Sequence, residues 1–299
     1  MPSQSLDLNA RLTKTAQRME SVLDGLLPKP EGAQAKIMQA VRYAVLGGGK
    51  RLRPFLMLET ARLFGPIGNG LYRAASALEC MHVYSLIHDD LPCMDDDDLR
   101  RGKPTVHKAY DEAMAVLAGD ALLTLAFEIL SHEETHGNAD LRLKLITGLS
   151  KAGGMSGMIG GQVIDIYAPD YPQDEALIRQ LQSLKTGALI SYAVNAGALY
   201  GGANPEELAA LSQYADLLGL AFQLRDDILD TEGSAQAMGK RTQKDAELGK
   251  ATFVSIWGLE QAKSEAARLG QNAKQALDVF AERADTLRDT VDFVLSREK

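Results

Sequence analysis

Six carboxylates stand within ten residues at Asp89, Asp90, Asp95, Asp96, Asp97 and Asp98. A second set closes the run Phe222-Gln223-Leu224-Arg225-Asp226-Asp227-Ile228-Leu229-Asp230. Asp226 and Asp230 are four apart and share a helix face, with Gln223 on the same stripe. Such carboxylates are hard oxygen ligands, which suit Mg2+ bridged to phosphate oxygens. Both sets end apolar, helix-patterned segments, where negative charge opposes the helix dipole unless a cation neutralises it. A lone acidic run is often a solvated face. Two runs, each closing an apolar helix, instead fit a bundle whose carboxylates face each other across a cavity.

Basic residues accompany the acids. Gly47-Gly48-Gly49-Lys50-Arg51-Leu52-Arg53-Pro54 sets three cations beside a glycine turn, and Arg100 and Arg101 directly follow the first acidic run. His82 lies seven residues before Asp89, close to the same helix face. Lys185-Thr186-Gly187, Lys240-Arg241 and Gly249-Lys250 add further groups of the phosphate-binding type. Arginine offers phosphate a planar fork, and lysine a mobile point charge. Carboxylate-held Mg2+ and separate basic groups would together take two diphosphates, one through each device.

The elements that must position these groups read as helices. Apolar residues recur at spacings of three and four almost throughout, and strand-like alternation is missing. Helices are expected at 5–26, 33–46, 53–64, 70–91, 110–133, 140–167, 174–201, 205–231, 247–269 and 272–296. Segment 113–130 is apolar around most of its circumference, which predicts a buried central helix. No linker or repeat divides the chain, so one all-α domain over 1–299, a bundle of about ten helices around a central cavity, is expected. Net charge is −8, which supports neither a nucleic-acid footprint nor an anionic membrane surface. The first residues lack the pattern of a secretory signal, and the longest apolar stretches are interrupted by Asp120 and Asn195. Cys80 and Cys93 form no metal or redox spacing and read as packing residues. The expectation is a soluble, cytoplasmic chain.

Asp89-Asp90-x4-Asp95 with Arg100-Arg101 resembles the first aspartate-rich motif of the short-chain trans-isoprenyl diphosphate synthases, and Asp226-Asp227-x-x-Asp230 resembles their second. Gly49-Lys50-Arg51-x-Arg53-Pro54, Gly161-Gln162-x-x-Asp165, Lys185-Thr186-Gly187 and Gly239-Lys240-Arg241 look like further motifs of that family, in its order. The four-residue gap is similar to that of the bacterial farnesyl diphosphate synthase type. The resemblance implies the isoprenoid synthase fold, a homodimer, and a transferase that joins isopentenyl diphosphate to dimethylallyl or geranyl diphosphate. It implies two or three Mg2+ ions, with Mn2+ as a substitute, on Asp89, Asp95 and Asp226, with Asp90, Asp227 and Asp230 supporting. Arg100, Lys185 and Lys240 would stabilise the leaving diphosphate. Lys50, Arg53, His82 and Arg101 would hold isopentenyl diphosphate, and Lys250 would bind substrate. Thr186 and Gln223 would stabilise the allylic cation by dipoles. Two departures fall between 231 and 255: Lys240-Arg241 is followed by Thr242-Gln243-Lys244-Asp245, and Lys250-Ala251-Thr252-Phe253-Val254-Ser255 lacks the family's proline.

Product length is expected to be set by Tyr84 and Ser85, five and four residues before Asp89. In similar farnesyl synthases an aromatic at the fifth position caps the pocket at fifteen carbons. Helix geometry alone puts Ser85 about 40° from Asp89 and Tyr84 about 140°, so a Tyr packed sideways in the core stays open. Geranyl and geranylgeranyl synthesis are the alternatives. Remoter rivals are a terpene cyclase, a non-catalytic helical scaffold, and a zinc peptidase built on His132-Glu133-Glu134-Thr135-His136, which matches H-E-x-x-H but ends at the helix stop Gly137-Asn138.

Overall fold

A computed structural model describes residues 7–236 and 252–297. Its helices in chain order are α1 (Leu8–Leu26), α2 (Ala35–Val45), α3 (Leu52–Arg62), α4 (Asn69–Asp89), α5 (Val106–Ala109), α6 (Glu112–Ser131), α7 (Ala139–Gly153), α8 (Met158–Ile166), α9 (Glu175–Gln182), α10 (Ala188–Gly201), α11 (Pro205–Gln236), α12 (Phe253–Trp257), α13 (Leu259–Ala276) and α14 (Asp285–Ser296). The all-α expectation holds, in more and shorter pieces than expected. The chain groups into two compact units, Met1–Leu58 with Pro66–Thr147, and Glu59–Gly65 with Gly148–Lys299.

In the first unit α4 is the buried helix. Ala74, Ala75, Ala77, Cys80 and Val83, at angles all round its axis, have almost no exposure. This corrects the expectation for 113–130. α6 packs on α4 through its small-residue side, Ala115, Ala118, Gly119 and Ala126, and leaves Val116 and Leu117 at the surface. Leu122, Ile129 and Leu130 are buried with the small residues, so α6 has one packed side and one surface side, a division that average hydrophobicity hides. By length and composition α6 is apolar enough to cross a bilayer, and its packed face on α4 gives that composition a structural reason. Asp111 caps it, accepting the Met114 amide at 2.7 Å.

A short hairpin that helical periodicity did not foretell follows α4. Strands β1 (Leu99–Arg100) and β2 (Lys103–Pro104) pair antiparallel. Arg101 and Gly102 between them have φ of 53° and 75°, as a two-residue turn of the primed kind requires.

In the second unit α11 is the backbone of the packing. Ala221, Leu224 and Ile228 on α11 meet Ala262, Ala266 and Leu269 on α13, with Ile178 and Phe253 closing the cluster. Asn204 starts α11 by accepting the amides of Glu206 and Glu207 at 3.0 Å, and Glu207 reaches back to the Asn204 amide at 2.9 Å. Four expected helices are interrupted. The stretch 140–167 breaks at the glycines 153–157; 174–201 contains a π-helical turn at Ser183–Gly187; 247–269, from 252 onward, divides at Gly258; and the 272–296 stretch is divided by a 3-10 segment at Asp278–Ala284.

Candidate active site

In the first unit α4 delivers Asp89 on its last turn and Asp90 at its cap. Pro92 precludes regular continuation, and the chain folds back so that the Asp95 amide donates to the Asp89 carbonyl at 2.8 Å. Two carboxylates six residues apart are thereby brought onto one turn, Asp89 half-buried and Asp95 exposed. Asp90 differs. It is 3% exposed, and Arg100 on β1 grips it with Nε at 2.8 and 2.9 Å and Nη2 at 2.6 Å. Burial pushes its carboxyl above the ordinary 3.8 and the guanidinium opposes that push; a charged fork of this geometry keeps the carboxylate ionised at neutral pH.

The hairpin turn sends the next arginine elsewhere. Arg101 donates to the Gly48 carbonyl, and its guanidinium lies over Gly49, where a Cβ would be 2.7 Å from its central carbon. Gly49 also has φ 131°, so both space and backbone call for glycine there. Arg51 is buried on Glu79 at 2.5 Å and Glu20 at 3.0 Å, which anchors the start of α3. Arg53 Nη1 lies 3.3 Å from His82 Nε2. Burial, and then the charges of Arg53, Arg101 and Arg100, hold His82 well below its ordinary 6.5, so it is neutral and accepts from Arg53. Lys50 is exposed beside this cluster. A cleft lined by Asp90, Arg100, Arg101 and Lys103 adjoins the apolar side chains Val83, Leu86 and Ile87.

Tyr84 is buried on α4 with its ring edge-on to His88, centroids 5.6 Å apart, and burial raises its hydroxyl to about 12. Ser85 is also buried and donates to the His82 carbonyl at 2.8 Å.

In the second unit the π turn carries Lys185 and Thr186. It is pressed between two helices at glycines: Gly161 of α8 against the Lys185 backbone, and Gly219 of α11 against Gly187. Lys185 Nζ meets Asp165 of α8 at 2.6 Å. The Thr186 hydroxyl donates to Gln223 Oε1 at 3.0 Å, and the Gln223 amide reaches Asp227 at 3.4 Å. Asp227 is buried and its other oxygen accepts the Phe253 amide at 3.1 Å. Asp226 remains half-exposed and pairs with Arg297 at 2.6 Å, whose guanidinium stacks 3.6 Å over the Phe222 ring. Asp230 is exposed one turn further on. Each unit therefore presents open carboxylates of hard-donor type with fixed cations near them, a donor set that fits Mg2+.

A family model described as polyprenyl synthetase matches residues 34–287. The chain belongs to the polyprenyl synthetase family. Farnesyl diphosphate synthase of Escherichia coli K12 is 42% identical over 299 residues, covering 98% of this chain and all of that one. A geranylgeranyl diphosphate synthase of Cyanophora paradoxa is 40% identical over 290 residues, 96% of each. The solved FPP/GFPP synthase of Zymomonas mobilis superposes with TM-score 0.88 at 46% identity, covering 97% and 99% of the two chains.

Among the expected residues of this polyprenyl synthetase, the first unit brings together Arg53 with His82 and Asp90 with Arg100, and the second brings together Lys185, Thr186, Gln223 and Asp227. Lys240 and Lys250 lie outside the described residues. Asp165 and Arg297 hold Lys185 and Asp226; Arg297 was not foreseen, because no local spacing links residues 71 apart. The H-E-x-x-H match is not on a helix. His132 caps the end of α6 and is exposed, and the His132 and His136 Nδ1 atoms accept the amides of Glu134 and Asn138 in consecutive turns. The zinc-peptidase reading of this motif needs both imidazoles on one helix face.

Proposed function

We propose that this chain is a Mg2+-dependent prenyltransferase that condenses isopentenyl diphosphate with dimethylallyl and then geranyl diphosphate to give farnesyl diphosphate and diphosphate. The observation that carries this reading is the turn in which the Asp95 amide donates to the Asp89 carbonyl, in a unit that also holds the neutral His82 beside Arg53. Mg2+ would be held by Asp89, Asp95 and Asp226, with Asp230 nearby in sequence, and would supply charge neutralisation of the allylic diphosphate.

The protein's own groups then have distinct tasks. Ionisation breaks the C1–O bond of the allylic substrate, and cations fixed beforehand stabilise the departing charge. Arg100, held by Asp90, and Lys185, held by Asp165, are cations of that kind. Lys50, Arg53, His82 and Arg101 bind isopentenyl diphosphate so that its double bond meets the allylic C1. A neutral His82 serves that task by accepting from Arg53 and so fixing the guanidinium that binds the diphosphate. The Thr186 proton is committed to Gln223, so the Thr186 oxygen turns lone pairs toward the cation. New C–C bond formation is completed by proton loss from isopentenyl C2, with the departed diphosphate as acceptor.

Tyr84 sets the fifteen-carbon limit in this reading. Its burial on α4, one turn and a residue before Asp89, supports that task. The names of the relatives, which include farnesyl and geranylgeranyl synthases, keep a twenty-carbon product as the second reading. We further propose a cytoplasmic homodimer, with the surface side of α6 around Val116 and Leu117 as the face that a second copy covers. The family match runs through both compact units, which supports one functional domain. The test is turnover of isopentenyl diphosphate with a C5 or C10 allylic partner and Mg2+, with products sized by chromatography. Farnesyl diphosphate is expected; no prenyl product with either partner would overturn the reading.

A further inference from the structure

Three side chains not used above converge beyond the first aspartate motif. A ring nitrogen of His107 and one carboxylate oxygen each from Asp96 and Asp98 lie within 4.8 Å of one another. Acidic groups at a surface loop do not by themselves make a site, and the imidazole supplies the independent observation. His107 is 7% exposed, and its Nε2 has no hydrogen-bond partner among the described residues. Its Nδ1 lies 3.1 Å from the Thr105 hydroxyl. That hydroxyl has one proton and donates it to the Asp97 carbonyl at 2.9 Å, so toward His107 it accepts. In the neutral ring Nδ1 therefore carries the proton, and Nε2 presents its lone pair in a buried setting.

An imidazole with one nitrogen fixed as a donor to a neighbouring oxygen, and the other stripped of partners, is the arrangement found at metal-ligating histidines. An unsatisfied buried acceptor is otherwise costly. Two donors each about 2.1 Å from one ion are at most about 4.2 Å apart. The group already lies within 4.8 Å, close to that spacing, and the exposed Asp96 and Asp98 side chains have room to turn toward the imidazole. Asp96 has φ 49°, so the loop holds a conformation unusual for a side-chain-bearing residue where its carboxylate joins the group. Lys108 now occupies one Asp98 oxygen, at 2.9 Å, and stands where a cation would compete with it.

We propose that Asp96, Asp98 and His107 bind a divalent first-row transition metal such as Mn2+, Co2+ or Zn2+, clasping the loop after the aspartate motif onto α5. One nitrogen and two carboxylate donors favour those ions over Mg2+, which takes oxygen alone. The site is separate from the aspartate motifs in its ligands, and its test does not depend on turnover.

The experiment adds Mn2+ to protein saturated with Mg2+ and records pulsed EPR for coupling to an imidazole nitrogen. The aspartate motifs offer only oxygen, so a nitrogen signal reports this site alone. Wild type is expected to show the coupling with about one Mn2+ per chain. Asp96→Asn, an exposed change to a residue that tolerates positive φ, should weaken Mn2+ binding at least about tenfold. His107→Gln should abolish the nitrogen signal. Lys108→Gln, by releasing Asp98, should strengthen binding several-fold. If His107→Gln does not fold, the opposed effects of the Asp96 and Lys108 variants decide. Absence of nitrogen coupling in wild type, or equal Mn2+ affinity in wild type and both of those variants, overturns the proposal.

Discussion

Gly161→Ala tests how the Gly-Gln-x-x-Asp and Lys-Thr-Gly segments are joined. A Cβ at Gly161 would stand 2.6 Å from the Lys185 Cα and 2.8 Å from its Cβ. Ordinary contacts begin near 3.4 Å, so α8 and the π turn must part by about 1 Å, and the obstacle is main chain that no rotamer change relieves. Overpacking against backbone costs about 3 kcal/mol, the upper end of its usual range. Alanine recovers about 1 kcal/mol in helix propensity, leaving a net loss of about 2 kcal/mol. Gly233→Ala on α11, where a Cβ meets nothing within 4 Å, keeps the propensity gain alone and should stabilise by up to about 1 kcal/mol. Urea denaturation of the two variants should thus give opposite signs. Displacement of the π turn also stretches the 2.6 Å contact of Lys185 with Asp165, so Gly161→Ala should lower kcat about tenfold or more. A Gly161→Ala protein as stable and as active as wild type would refute the packing argument.

Asp89→Ala should lower kcat by about 10^2-fold or more with little change in unfolding free energy, since Asp89 is half-buried at a helix end; near-normal turnover would remove it from the metal site. Arg297→Gln removes the partner that competes for Asp226; a pair whose carboxylate is partly exposed is worth about 1 kcal/mol, so the Mg2+ concentration for half-maximal rate should fall about fivefold, and an unchanged Mg2+ curve would show that Asp226 is not a ligand. His82 in the folded state titrates well below 6.5 while the unfolded chain titrates there, so the unfolded state binds more protons as pH falls through 6.5 and stability declines on that side. Denaturation between about pH 7.5 and 5.5 should show that decline in wild type and a shallower one in His82→Gln; equal slopes would contradict it. Tyr84→Ala should shift products to C20 or longer with Mg2+ dependence kept, and a folded variant that still stops at C15 would assign the limit to another wall.

The aspartate motifs stand out in the sequence because two acidic runs each close an apolar helix. The helical class was legible from period alone. What escaped has no compositional mark. A π turn differs from an α turn by one residue of hydrogen-bond register, so Ser183–Gly187 reads as continuous helix until Gly161 and Gly219 are seen pressing on it. The hairpin at 99–104 needs an arginine at positive φ, which no propensity predicts. Arg297 reaches Asp226 from the far end of the sequence. The apolar helix 113–130 differs from its expectation because uniform hydrophobicity conceals which side packs and which stays at the surface.

The doubled aspartates are where sequence and structure inform each other most. Read as residue types, Asp89 and Asp90 are equivalent, as are Asp226 and Asp227. A step of about 100° around a helix separates the members of each pair, and the structure gives them opposite environments in the same order. The first of each pair stays partly open. The second is buried and binds the protein itself: Asp90 holds Arg100 on the hairpin that follows α4, and Asp227 holds the Phe253 amide where α12 begins. Each second aspartate is thus the anchor for a later segment of chain. A buried charge is retained only with such partners, so substituting it strands either Arg100 or a backbone amide. In each unit the doubling sets a partly exposed carboxylate next to one that is a fixed point against which a later segment of chain is ordered.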